Sequence, residues 1–230
     1  MANPAALLHA QLSEWNEPAS NTNAQNVRTP DEDGWEVQRR AAGYLLEIES
    51  LLSRLTAIGP TVDVSVYRRY LPLWSRAVFV FPKGWSEGGS GAIEQTGLDQ
   101  LAGLSTLFSL VVERADQTKF DEIRDSLNAL EELIAASSAS VALKAHLRNV
   151  MNHLRWCIDN YDIVSDFEVE RATEQLIATV ARAAVATQND ANQGGGWTTW
   201  LNGFVWPFAS GATATVVGEL AMAGIQAIGS

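Results

Sequence analysis

A chain of 230 residues that is 47% hydrophobic is long and apolar enough to bury a core without disulfides or metals, which excludes wholesale disorder. Its net charge of −11 argues against a protein that coats nucleic acid or is drawn to anionic lipid, because both need clustered Lys and Arg. One cysteine, Cys157, rules out an intramolecular disulfide framework and fits a reducing cytosol.

The opening MANPAALLHAQLSEW has no basic region and no long apolar run, so it does not read as a secretory signal. Asn3-Pro4 supplies a cap and a proline at the first helical position, before a stripe of Leu8, Leu12 and Trp15. Residues 17–28 are polar and Asn-rich and read as a loop. Thr29-Pro30-Asp31-Glu32 has the form of a capping box, and the helix after it carries Ile48, Leu51, Leu52 and Leu55 on one face before Gly59-Pro60 stops it. Residues 62–81 fit two periods. Val62, Val64 and Val66 alternate like a strand, whereas Val66, Tyr70, Leu73, Ala77 and Phe81 keep helical spacing. With helices on both sides a helix is expected here, kinked or broken at Pro72.

Residues 82–95 form a glycine-rich loop whose KGWSEGGSG lacks the Gly-Lys-Ser/Thr ending of a phosphate-binding loop. Thr96 caps a helix presenting Leu101, Leu104, Phe108 and Val111. Phe120, Ile123, Leu127, Leu130 and Ile134 then repeat at spacings of three and four, the seam of a helix packed lengthwise on neighbours. Leu143, Leu147, Val150, Leu154, Ile158 and Tyr161 repeat that pattern, and Ser165 with Glu168 makes a second capping box before Val169, Thr173, Leu176 and Val180. The predicted fold is all-α: an antiparallel helical bundle of about six or seven helices with a C-terminal apolar helical segment. The expected division is an acidic helical-bundle domain over 1–190, a glycine-rich hinge over 191–196, and an apolar C-terminal module over 197–230.

That module stands out by charge. Of the last 37 residues only Glu219 is charged, while the first 193 carry the other 42 charges. Trp197, Trp200 and Trp206 suit a headgroup region, where an amphipathic ring gains from both phases. Ser210, Ala214 and Gly218 stand four apart, a spacing that lets helices approach closely in lipid or in an assembly. Against a simple span, the segment is rich in Ala and Gly, bends at Gly203, Pro207 and Gly211, and carries Glu219, which is costly at mid-bilayer. Three readings follow: a membrane module, an oligomer seam, or a Trp-anchored piece of the chain's own core.

One short pattern has enzymatic meaning. Arg148-Asn149-Val150-Met151-Asn152-His153 resembles the motif of HEPN-type ribonucleases, an Arg often followed by a polar residue with His a few positions on, in an all-α domain. The resemblance covers these six residues and the helical class. It implies a metal-independent ribonuclease in which His153 does acid–base work at the ribose 2′-hydroxyl and Arg148 steadies the phosphate, with Asn149 or Asn152 in support. Five residues at about 100° each set Arg148 and His153 about 140° apart around one helix. A second copy of the helix must therefore complete the site, and the resemblance implies a dimer.

His153 and Cys157, at i and i+4, have metal-ligand spacing but no evident third ligand, so they read as a core-boundary pair; no metal and no cofactor is expected. Asp116, Asp121, Glu122, Asp125, Glu131 and Glu132 read as a solvated acidic face, or as a docking surface for a basic partner. Arg outnumbers Lys 13 to 3, as in a GC-rich genome, which points to a bacterial or phage source.

The leading expectation is a non-enzymatic helical interaction protein, cytoplasmic or at the inner face of the cell membrane. It would bind a protein partner through its body and engage membrane lipid or self-assemble through its tail, an architecture that fits a bacterial or phage conflict effector in defence or exclusion. One alternative is the dimeric ribonuclease using Arg148 and His153, the one case with a nucleic-acid partner. The other is a soluble scaffold or immunity-type binding protein whose tail lies in its own core.

Overall fold

The computed structural model of the chain describes residues 3–16, 27–28, 32–58, 63–79, 93–187 and 194–208. Among them all regular structure is helical apart from one isolated antiparallel bridge, Ala115 to Phe208. The chain divides into two compact units, Met1–Val112 and Glu113–Ser230.

The first unit holds α1 (Pro4–Asn16), α2 (Glu32–Ile58), α3 (Ser65–Phe79) and α4 (Gln95–Val111). Asn3 caps α1 as its sequence predicts: the Ala6 N–H donates to Asn3 Oδ1 at 2.9 Å. The same side chain donates to the Ser105 carbonyl at 3.0 Å, fixing the start of α1 on α4. Each helix packs on the next, and α4 packs back on α1. Leu8, Leu12, Ile48, Leu52, Leu101, Leu104 and Phe108 are buried on the faces their spacing predicts.

Residues 65–79 are helical, with Pro72 inside the helix. Its buried face is Trp74, Ala77 and Val78 rather than Tyr70 and Leu73. Trp74 sets this rotation, because its ring is wholly buried and its Nε1 donates to the Gly97 carbonyl at 2.9 Å. At Gly97 a Cβ would lie 2.5 Å from Leu73 Cδ2, so the lack of a side chain lets α3 and α4 approach. The fourth helix opens two residues before the Thr96 cap predicts, with Glu94 in the cap position and the Gly97 N–H on its carbonyl at 2.8 Å. Val111, expected in the core, is exposed.

The second unit begins with a single 3-10 turn, Gln117–Lys119, and continues through α5 (Phe120–Ala136), α6 (Val141–Asp159), α7 (Asp166–Ala186) and α8 (Gly194–Gly203). Here too each helix packs on the next, and α8 closes on α5. Phe120, Ile123, Leu127, Leu130 and Ile134 are all buried, as the three-four repeat requires. Leu147, Val150, Leu154 and Ile158 from α6 and Val169, Thr173, Leu176 and Val180 from α7 meet them.

The described residues reach only part of the expected hinge and C-terminal module. The glycines placed in a hinge over 191–196 are in part helical: Gly194 to Gly196 form the first turn of α8. A Cβ at Gly196 would lie 2.8 Å from Leu133 Cδ1, so this glycine serves close packing of α8 on α5. Of the apolar segment expected over 197–230, the described part holds α8, which ends at Gly203, followed by non-helical residues 204–208. Among the described residues no helix is long and apolar enough to cross a membrane. Residues 209–230 lie outside the described part.

Candidate functional site

The joint between α6 and α7 collects the chemically versatile side chains of the second unit. Asn160 closes α6, and a short turned segment leads to Ser165, whose Oγ accepts the Glu168 N–H at 3.0 Å. This is the serine half of the capping box that Ser165 and Glu168 predict, with acidic Asp166 and Glu168 at the positive end of the helix, while the Glu168 carboxylate turns to His153 and Arg171. Capping places the Glu168 carboxylate against α6. There His153 and Cys157, one turn apart, share a face.

His153 Nε2 lies 2.9 Å from Glu168 Oε1 and 3.9 Å from Cys157 Sγ. Arg171, one turn further along α7, reaches the same carboxylate at 2.7 Å. The His153 ring stacks on Trp156 with centroids 6.4 Å apart. Burial alone would raise the Glu168 carboxyl. The hydrogen bonds from His153 and Arg171 outweigh it, and the group titrates below its ordinary value.

The His153–Cys157 pair, with no third ligand evident in the sequence, meets a carboxylate in the fold. Glu168 brings a third potential donor, and the donor atoms of His153, Cys157 and Glu168 all lie within 4.8 Å of one another. The pairing was invisible in sequence because it depends on how α7 packs on α6. Thiol and carboxylate approach the same ring nitrogen. In a nucleophilic relay the acid and the nucleophile take opposite nitrogens of the imidazole, so this geometry suits shared hydrogen bonding or chelation better than a Cys-His-Glu nucleophile.

Arg148 and His153 are not brought together. The Arg148 guanidinium faces α5, where Nε and Nη2 both lie 2.8 Å from Glu131 Oε1. His153 faces α7. Asn149 and Asn152 are exposed, and Asn152 Oδ1 meets Arg155 Nη1 at 3.5 Å. Arg148 and His153 are thus engaged with different neighbouring helices, α5 and α7.

Trp197, Trp200 and Trp206 lie in the core of the second unit. Trp197 is wholly buried, and Trp200 Nε1 donates to the Ser126 carbonyl of α5 at 2.8 Å. Beyond α8 the chain is tied to the start of the unit: the Asp116 N–H donates to the Pro207 carbonyl at 2.7 Å, and Lys119 Nζ donates to the carbonyls of Trp206 and Phe208 at 3.2 Å each. Ser210, Ala214, Gly218 and Glu219, the remaining tail residues singled out in sequence, lie outside the described residues.

Sequence reasoning missed Asp166 and Arg171. Asp166 is buried, accepts the Ala115 N–H at 3.0 Å, and accepts a short hydrogen bond from the Tyr161 hydroxyl. Burial first, and then Asp166, push the Tyr161 hydroxyl well above its ordinary range, against an opposing pull from Arg114. The only sequence signal for Asp166 was its place in an acidic first turn, which equally describes an exposed residue. The chain matches no protein-family model, and no curated protein or solved structure matches it.

Proposed function

We propose that this chain is a non-enzymatic helical interaction protein of scaffold or immunity type, whose Trp-rich segment through Phe208 serves its own core. The observation that carries this reading is the burial of Trp197, Trp200 and Trp206 together with the ties from Asp116 and Lys119. Indole rings spent on α5 and α7 are not available to a bilayer or to a partner. The engagement of Arg148 with Glu131 and of His153 with Glu168 also favours structural roles over the ribonuclease alternative.

A protein partner would be met by the helical surfaces. The exposed face of α5 carries Asp121, Glu122, Asp125 and Glu132, and the chain has a net charge of −11. By complementarity the partner surface is basic. The test uses the full-length chain mixed with vesicles of zwitterionic and anionic phospholipid and centrifuged through a density gradient. The protein is expected to stay in the aqueous fraction with unshifted tryptophan fluorescence. Flotation with the vesicles would return the tail to a membrane role and overturn the proposal.

A further inference from the structure

We propose that His153, Cys157 and Glu168 form a binding site for a divalent metal of the zinc class at the joint between α6 and α7. Zinc bonds of about 2.0–2.3 Å in a tetrahedron set neighbouring donor atoms about 3.3–3.6 Å apart. The His153–Glu168 and His153–Cys157 separations of 2.9 and 3.9 Å bracket that range, and no donor pair exceeds 4.8 Å. Closing the site therefore needs side-chain shifts of roughly an ångström or less at most donors.

The three ligands are held independently of any ion. His153 and Cys157 are fixed by one turn of α6, and Glu168 by the Ser165 cap. Arg171 grips the Glu168 carboxylate at 2.7 Å, the outer-shell role that orients carboxylate ligands. Imidazole, thiolate and carboxylate form a mixed donor set that suits zinc or cobalt. Magnesium and calcium prefer oxygen alone. Thiolate and carboxylate together neutralise a dication, and binding transfers the Cys157 thiol proton to solvent.

Cys157 is wholly buried and Glu168 nearly so, while the His153 side chain is 39% exposed. His153 is thus the one ligand at the surface, the side from which a metal and a water as fourth ligand would enter. Occupancy would staple α6 to α7 at the point where a single turned segment joins them. The inference does not depend on the interaction reading, since a structural metal and a partner surface coexist in one fold.

Cys157 is the sole cysteine, so thiolate-to-cobalt charge transfer can arise here alone. The full-length chain, stripped with chelator under reducing conditions, is titrated with Co²⁺ and then with Zn²⁺. The expected result is a near-ultraviolet charge-transfer band that saturates at one equivalent and is erased by Zn²⁺. The band should be absent from Cys157→Ser, and stoichiometric binding should be lost in His153→Gln, with far-ultraviolet circular dichroism confirming that both variants fold. Absence of the band in the wild-type chain, or undiminished cobalt affinity in folded Cys157→Ser, would overturn the proposal. The wild-type titration decides even where a variant fails to fold.

Discussion

Trp197→Ala is expected to lower the stability of the second unit by about 3–5 kcal/mol, the range for truncating a large aromatic in a packed core. Trp197 is among the largest fully buried side chains of the protein and belongs to the same cluster as Leu127, Leu130, Leu176 and Val180. Its indole N–H is buried with no acceptor among the described residues. Truncation therefore removes packing and no hydrogen bond, and Trp197→Phe should lose much less. Because the chain has two compact units, the appropriate readout is hydrogen exchange at the amides of α5, α6 and α7, which reports on one unit by itself. A tail that faced lipid or a partner would leave those amides unchanged.

Asp166→Ala is expected to rival that effect by a different mechanism. It strips the acceptor from two buried donors, the Ala115 N–H and the Tyr161 hydroxyl. An orphaned buried donor costs about 1–3 kcal/mol, so the pair costs about 2–6 kcal/mol. Asp166→Asn keeps Oδ1, the atom that accepts both bonds, and should lose only the charge-assisted part. Tyr161 supplies an internal check. In Asp166→Asn its hydroxyl should ionise at lower pH than in the wild-type chain, yet still above its ordinary value, because burial is the larger cause of its shift. A spectrophotometric titration of Tyr161 combined with urea unfolding measures both. Unchanged unfolding in Asp166→Ala would contradict the assigned role.

The helices of the second unit were legible because their apolar residues repeat at spacings of three and four, and a face defined by five such residues can be buried in only one orientation. The helix at 65–79 was legible as a helix but not in its rotation. Leu73 and Tyr70 fit the stripe as well as Trp74, and only the meeting of Trp74 with Gly97 selects between them. The division at Val112–Glu113 left no trace in sequence, since nothing between the flanking helices resembles a Gly- or Pro-rich linker. Composition changes instead near residue 194, and that change does not by itself choose among the readings of the tail. Hydrocarbon and a protein interior both exclude charge, so an uncharged Trp-rich run fits either until its helix length is known. At the candidate site, the cap Ser165–Glu168 and the His153–Cys157 spacing were each readable. Their convergence was not, because it arises from the packing of α6 on α7.

Whether the Trp-rich segment completes the second unit's core is decided by comparing the full chain with one ending at Gln193. Hydrogen exchange across α5 to α7 is the measurement. Without α8, the Trp200 bond to Ser126 and the Lys119 and Asp116 ties to residues 206–208 are gone, and Leu133 loses the close approach at Gly196. Broad loss of protection across α5 to α7 is the predicted result. Protection equal to that of the full chain would contradict it.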